Sequence, residues 1–137
     1  MIERAFIVGA VLAATLVVAL GARAGARWRV AQVLGQPVPA VLRRRLSRTR
    51  PNLVYFFGPH CGTCAQQKTV LDELDSEGAA HIIALDATQE RALADRLGAL
   101  TIPATAFLDR SGRLAKVNLG YQPRSVLIAQ MESMLAG

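Results

Sequence analysis

Cysteine and aromatic residues are both scarce in this chain of 137 residues. Two cysteines are too few for the disulfide framework on which small secreted scaffolds depend, so a hydrophobic core must hold the fold together. Aromatic residues make up only 5% of the chain and hydrophobic residues 52%, which predicts a core built mainly of aliphatic side chains. Such a composition is not that of a disordered protein.

Acidic residues are absent from residues 23–50, which carry eight arginines. By contrast, residues 51–137 carry nine acidic and seven basic residues, so the net charge of +6 arises from one short segment. A nucleic-acid-binding domain is expected to spread its basic residues over the folded surface. The charge distribution therefore argues against a nucleic-acid partner. The role of the basic segment must instead be inferred from the residues next to it.

Charge of either sign is also missing from residues 5–22, an apolar run of 18 residues directly upstream of the basic segment. At about 1.5 Å per residue, a helix of this length spans roughly 27 Å, close to the hydrocarbon thickness of a bilayer. We therefore predict a transmembrane anchor over residues 1–22. The alternative is a cleavable secretory signal, for which Ala22 to Ala24 offers a cleavage site with small residues.

Residues 23–50 are predicted to be a basic juxtamembrane linker. Trp28 lies among the first arginines, as expected of an aromatic residue at the level of the lipid headgroups. Pro37 and Pro39 interrupt any continuous helix. The arginines either lie on anionic lipid, where each contributes about 1 kcal/mol to membrane binding, or belong to a solvated linker helix.

The periodicity of residues 51–137 predicts a small α/β domain. The run NLVYFF at residues 52–57 has the length and the apolar character of a strand buried on both faces. The first two strands should be parallel and joined by a helix, and the last two should form a hairpin. The pattern predicts further strands at residues 81–87, 105–109 and 114–120, and helices at residues 61–78, 88–98 and 123–137.

The cysteines, Cys61 and Cys64, lie at the junction between the first strand and the next helix. A structural zinc site normally needs four ligands, and the only histidines are His81 and His60, the latter adjacent to Cys61. A structural disulfide across so short a loop would remove little chain entropy. The spacing therefore favours redox chemistry, with no metal or cofactor.

Position within the helix predicts different roles for the two thiols. At the start of a helix, unsatisfied N–H groups and the positive end of the helix dipole stabilise a thiolate, which would lower the pKa of Cys61. Cys64, three residues on, would lie deeper on the same side of the helix. We predict that Cys61 is the attacking nucleophile and that Cys64 is the resolving thiol.

Three motifs stand out in residues 51–137. YFFGPHCGTC lies after a buried strand, GALTIPATAFLD follows about forty residues later, and GRLAKVNLGY comes last. A resemblance to the thioredoxin family over roughly residues 51–137 rests on these three motifs, the last of which is similar to the last hairpin of the family. It implies a thioredoxin-like α/β fold with a central four-stranded mixed sheet and flanking helices, and a thiol-disulfide oxidoreductase that acts on protein thiols and disulfides. A non-catalytic protein-interaction module on the same fold is the alternative function.

The resemblance also implies a substrate-binding groove beside the cysteines. It implies a cis peptide bond between Ile102 and Pro103, packed against the cysteines, with the Ile102 backbone available to pair with an extended substrate peptide. The residues expected to bind the substrate are His60, Gly62, Thr63, Ile102 and Pro103.

The sequence departs from the family pattern near the cysteines. Tyr55 stands where the family often has a buried acid, Ala84 where a buried lysine commonly accompanies it, and Thr69 where the active-site helix has a proline. Deprotonation of Cys64 is therefore expected to depend on water. His60 either favours the thiolate as an imidazolium or is an exposed loop residue without an acid-base role. The family's first strand is not expected, because residues 23–50 lack a strand pattern.

The arginines around the apolar run predict the side of the membrane. Only Arg4 precedes the run, offset by Glu3, whereas eight arginines follow it. Because positive flanks stay in the cytoplasm, we expect the domain to be cytoplasmic, where it would act as a monomeric reductase. The resemblance alone favours the extracytoplasmic side, on which many tethered thioredoxin-like proteins lie.

Overall fold

The computed structural model describes residues 1–136, which form two compact units. The first unit, Met1–Gln32, consists of Met1 and nearly all of helix α1 (Ile2–Val33), which has no buried side chain. α1 is long and apolar enough to cross a membrane, a property that it shares with signal sequences. The helix continues eleven residues beyond the predicted anchor, because the alanines and arginines that follow are good helix formers.

The second unit begins at Val33 and contains the predicted α/β domain. The predicted strands agree with the observed ones to within one residue at each end. Gly137, the last residue of the final predicted helix, lies outside the described residues. The elements of this unit are α2 (Ala40–Arg43), β1 (Asn52–Phe57), α3 (Cys64–Ser76), β2 (His81–Asp86), α4 (Arg91–Arg96), β3 (Ala104–Leu108), β4 (Leu114–Leu119) and α5 (Arg124–Ala136).

The four strands form one mixed sheet in the order β2-β1-β3-β4. β1 runs parallel to β2, and β3 is antiparallel to β4, as the element order predicts. β3 is also antiparallel to β1. The register places Phe56 of β1 opposite Ala104 of β3, and Ala104 opposite Leu119 of β4. The end of β1, the start of β3 and the end of β4 therefore meet at one end of the sheet.

The core surrounds β1, whose side chains are buried on both faces as the apolar run predicts. Leu53 and Val54 are neighbours in the strand, so their side chains point to opposite faces of the sheet, and both are fully buried. On one face, β1 and β3 pack against the apolar sides of α3 and α5. This cluster comprises Leu53, Tyr55, Leu71, Leu74, Ala80, Phe107, Leu127 and Met131.

Part of the predicted linker packs on the domain. The sequence places the start of the domain at residue 51, but Val38 and Leu42 are 2% and 1% exposed. Burial of two apolar side chains explains why the compact unit already begins at Val33. None of residues 23–50 forms a strand, in agreement with the sequence, and Pro37 makes only a single bridge with Arg113.

Candidate active site

Both cysteines follow β1 at the end of the sheet where β3 begins. Cys61 and Cys64 are joined by a disulfide with an S–S distance of 2.07 Å and a Cα–Cα distance of 5.4 Å. Cys64 is the first residue of α3 and is only 8% exposed, whereas Cys61 precedes the helix and is partly exposed. Of the two, the residue predicted to be the nucleophile is therefore the more accessible.

The N-terminus of α3 places the first N–H groups of the helix next to the disulfide. The prediction that this helix begins at Cys61 is wrong by three residues, because the chain turns at Gly62 and Thr63. Thr63 occupies the N-cap position and makes no side-chain hydrogen bond to the helix. Within residues 1–136, the first N–H groups of α3 thus receive no capping bond from Thr63, and the positive end of the helix dipole lies at Cys64, the first residue of the helix.

Three of the predicted substrate-binding residues surround the disulfide on an open surface. His60, Gly62 and Thr63 are all exposed. His60 adopts a left-handed conformation with φ of +57°, which turns the chain between β1 and Cys61. A side chain on Gly62 would meet no heavy atom within 4 Å. Another protein can therefore approach the disulfide from this side.

The other two predicted substrate-binding residues, Ile102 and Pro103, lie at the start of β3. Their peptide bond is cis, as the resemblance implies. Pro103 is buried and its carbonyl accepts a hydrogen bond of 2.8 Å from the N–H of Gly120, at the end of β4. A Cβ on Gly58 would lie 2.8 Å from Cδ1 of Ile102. Ile102 therefore packs against the turn that leads to Cys61.

Tyr55 makes a contact that the sequence did not predict. Its side chain is 3% exposed, and its hydroxyl donates a hydrogen bond of 2.9 Å to the carbonyl oxygen of Cys64. Burial, reinforced by the negative charge of Asp72, raises the pKa of Tyr55 above its usual value of 10.0. A buried tyrosine normally finds a partner for its hydroxyl, which is the signal that could have predicted this contact.

Gln67 and Gln122 form a second contact that the sequence did not predict. Gln67 of α3 is 0% exposed, and its side chain is paired with the backbone of Gln122, which lies between β4 and α5. The N–H of Gln122 donates to Oε1 of Gln67 at 2.7 Å, and Nε2 of Gln67 donates to the carbonyl of Gln122 at 3.1 Å. These bonds hold the segment after Gly120 against the active-site helix.

The two other positions that depart from the family pattern contribute no buried ionisable group. Ala84 lies opposite Tyr55 in the pairing of β1 with β2, and it is exposed. Thr69 is also exposed and donates its hydroxyl proton to the carbonyl oxygen of Ala65 within α3. Neither residue supplies a base near Cys64.

The sequence matches the thioredoxin family over residues 39–133. Thioredoxin from Alicyclobacillus acidocaldarius is 30% identical over 98 residues, which cover 70% of this chain and 92% of that protein. Thioredoxin from Staphylococcus saprophyticus is 33% identical over 86 residues, which cover 61% of this chain and 82% of that protein.

Solved structures share the fold at lower sequence identity. A mutant thioredoxin from Halobacterium salinarum has a TM-score of 0.63 and 22% identity, over 72% of this chain and 87% of that chain. An exposed lipoprotein thioredoxin from Streptococcus pneumoniae has a TM-score of 0.54 and 14% identity, over 63% of this chain and 86% of that chain. The family match, the mixed sheet and the cysteine pair after β1 agree. The chain belongs to the thioredoxin family and is a disulfide oxidoreductase, with protein thiols and disulfides as the substrates that the family implies.

Proposed function

We propose that this protein is a membrane-tethered reductase of protein disulfides, in which Cys61 attacks the substrate and Cys64 resolves the intermediate. The observation that carries the proposal is the unequal exposure of the two cysteines at the N-terminus of α3. Cys61 is partly exposed, whereas Cys64 is 8% exposed and its carbonyl is bonded to buried Tyr55. A substrate sulfur can reach Cys61 first.

The reaction begins with both thiols reduced. The Cys61 thiolate attacks one sulfur of the substrate disulfide, so that a new S–S bond forms, the substrate's own S–S bond breaks, and the first substrate thiolate leaves. Cys64 then loses its proton to water and attacks the sulfur of Cys61, which releases the second substrate thiolate. The product is the Cys61–Cys64 disulfide, the state present in the structure. A dithiol donor supplies the two electrons and two protons that restore the reduced pair.

Helix α3 favours the first step, because its uncapped N–H groups and dipole stabilise negative charge on the Cys61 sulfur. The substrate would lie along His60, Gly62 and Thr63. Within residues 1–136, the N–H and carbonyl of Ile102 make no backbone hydrogen bond, so both are available to pair with an extended substrate peptide.

Two observations support a tether on the cytoplasmic side. α1 contains 18 consecutive uncharged residues and has no buried side chain. Eight arginines follow the apolar run within residues 23–50, and arginines next to a membrane span are retained in the cytoplasm. In that reducing compartment the cysteine pair would be held mainly as the dithiol, the form that reduces substrates.

Fusions to the C-terminus test the tether and its direction. Fusion to a fluorescent protein should give a fluorescent membrane fraction, whereas fusion to alkaline phosphatase should be inactive, because phosphatase folds only outside the cytoplasm. High phosphatase activity would contradict the cytoplasmic side. A mature protein that lacks residues 1–22 by mass spectrometry would instead identify a cleaved signal sequence.

Catalysis and the roles of the cysteines are tested with the full chain in detergent. The reduced protein should reduce the interchain disulfides of insulin. The variant Cys64→Ser should accumulate mixed disulfides with substrate, because the intermediate on Cys61 can no longer be resolved. Cys61→Ser is the matched control and should trap nothing. Trapping by Cys61→Ser alone would reverse the assigned roles, and a wild-type protein inert toward insulin would argue against reductase activity.

A further inference from the structure

Arginines from two separate segments lie on one end of the domain. One group begins at the last residue of α2, in the predicted linker, and the other belongs to the turn between β3 and β4. All six side chains are exposed. We call this surface the basic end, and its members are Arg43, Arg44, Arg45, Arg48, Arg110 and Arg113.

Direct contacts join the two segments. The N–H of Val38 donates to the carbonyl of Gly112 at 3.0 Å, and Nη1 of Arg113 donates to the carbonyl of Gly35 at 3.0 Å. A Cβ on Gly112 would lie 3.3 Å from Cδ1 of Leu46 and 3.8 Å from Cγ of Arg43. The arginines at and after the end of α2 and those of the turn therefore form one continuous surface.

The arginine segment is also fixed to the sheet. The N–H of Ser47 donates to Oδ1 of Asn52 at 2.7 Å, and Nδ2 of Asn52 donates to the carbonyl of Ser47 at 2.9 Å. Asn52 begins β1 and pairs with Leu108, the last residue of β3 before the turn. The basic end therefore lies at the start of β1, whereas the disulfide follows the end of β1 after Phe57, roughly 17 Å away along a six-residue strand.

Charge at the basic end is poorly neutralised by the protein itself. Within residues 1–136, no side chain of the basic end makes an ion pair within 4.0 Å. Of the nearby acids, Asp75 is paired with Arg50 at 3.1 Å. Asp109 accepts hydrogen bonds from the N–H and hydroxyl of Ser111 and from the N–H of Arg113. In the part of the chain that the structure describes, the charges of the six arginines are therefore not neutralised by direct contact with a carboxylate.

The chain enters the domain at this same end. After α1, the N–H of Gly35 donates to the carbonyl of Leu114 at 2.7 Å, and the N–H of Leu114 donates to the carbonyl of Gln36 at 3.0 Å. Leu114 is the residue of β4 nearest to the turn. A tether that reaches the domain at Gly35 therefore attaches it next to the basic end and on the side away from Cys61.

We propose that the basic end rests on the anionic lipid surface of the membrane and turns the disulfide toward the aqueous phase. The inference rests on the proposed tether, which keeps the domain close enough for attraction over the Debye length of about 8 Å. Anionic lipid is favoured over nucleic acid because the basic end adjoins the point at which the membrane-compatible chain enters the domain. The substrates that reach Cys61 are then disulfides of water-soluble proteins, because disulfides at the lipid surface face the opposite end.

The test uses the full chain in nanodiscs that contain a gadolinium-chelating lipid, with broadening of backbone amide resonances as the readout. In phosphatidylcholine with one quarter phosphatidylglycerol, broadening should concentrate at residues 43–48 and 110–113 and spare residues 58–64. The variant Arg44→Gln/Arg110→Gln removes one arginine from each segment, and neither guanidinium makes a hydrogen bond within residues 1–136. It should lower the docked-to-undocked ratio about thirtyfold, since each arginine near an anionic surface contributes about 1 kcal/mol.

The matched control, Lys68→Gln/Lys116→Gln, removes the same charge from exposed residues outside the basic end and should leave the broadening unchanged. Equal broadening of residues 58–64, or an equal effect of the control, would overturn the proposed orientation. Tight binding of an oligonucleotide to residues 43–48 and 110–113 in purely phosphatidylcholine nanodiscs would assign the basic end to nucleic acid instead. A chain that does not enter nanodiscs would refute the tether itself, whereas entry without localised broadening would refute only the docking.

Discussion

Replacing Tyr55 with phenylalanine tests how the sheet supports the active-site helix. The substitution keeps the buried ring, whose centroid lies 5.8 Å from that of Phe57, and removes only the hydroxyl that donates to the carbonyl of Cys64. That carbonyl still accepts the N–H of the following helical turn, so one of its two bonds is lost. The net contribution of such a hydrogen bond is about 0.5–1.5 kcal/mol, which at about 4–8 °C per kcal/mol for a domain of this size lowers the melting temperature by roughly 2–12 °C.

The assay is scanning calorimetry of the oxidised full chain in detergent, with Tyr121→Phe as the control. Tyr121 is 39% exposed, and within residues 1–136 its hydroxyl makes no hydrogen bond, so Tyr121→Phe should melt within about 2 °C of the wild type. A Tyr55→Phe variant that melts with the wild type, or equal losses in both variants, would show that the hydroxyl does not support α3.

The same pair of variants gives a pH-dependent result. Because burial and Asp72 raise the pKa of Tyr55 in the folded state above 10.0, the stability linked to its neutral form is fully present below pH 10.0. It is lost as the pH rises through the folded-state pKa. Wild type and Tyr121→Phe should therefore lose stability above pH 10.0 more steeply than Tyr55→Phe, and parallel curves for all three proteins would contradict the assigned burial effect.

Two further predictions concern residues of α3 and the turn before it. In the reduced protein, iodoacetamide should modify Cys61 faster than Cys64 at neutral pH, as followed by peptide mass spectrometry, and equal rates would count against the assigned roles. Gln67→Leu should lower the free energy of unfolding by roughly 2 kcal/mol, because it leaves the backbone N–H and carbonyl of Gln122 without their partners. The control Gln66→Leu changes an exposed residue and should alter the free energy of unfolding by less than about 0.5 kcal/mol. Similar losses of stability in both variants would refute the role of the buried bonds.

Strand positions could be predicted from the sequence because each strand depends on a local signal. The apolar run at 52–57 requires burial on both faces, and the glycine and proline that follow end it. The cysteine pair was equally predictable, since its place between a strand and a helix is encoded by neighbouring residues. The start of α3 was not, because it depends on the left-handed conformation of His60 and on the turn at residues 62–63.

Contacts between distant segments could not be predicted from the same patterns. Gln67 and Gln122 are 55 residues apart, and only the folded chain brings the side chain of one to the backbone of the other. Val38 and Leu42 offered only a weak signal, because both are apolar but Val38 lies before α2 and the two residues do not share a helical turn. The surrounding arginines and prolines obscured that signal, so the burial of these two side chains was not predicted.

The β-bridge between Pro37 and Arg113 affects how readily copies of this chain aggregate at high concentration. An open outer strand is a template on which a second molecule can add a strand, which leads to aggregation. Gly35 and Gln36 occupy the outer backbone groups of β4 at Leu114, and Pro37 and Pro39 have no N–H with which to extend the sheet further. Beyond Leu114, exposed Lys116 places a positive charge on β4. Prolines that look like simple linker breaks in the sequence thus protect part of β4 from edge-to-edge association.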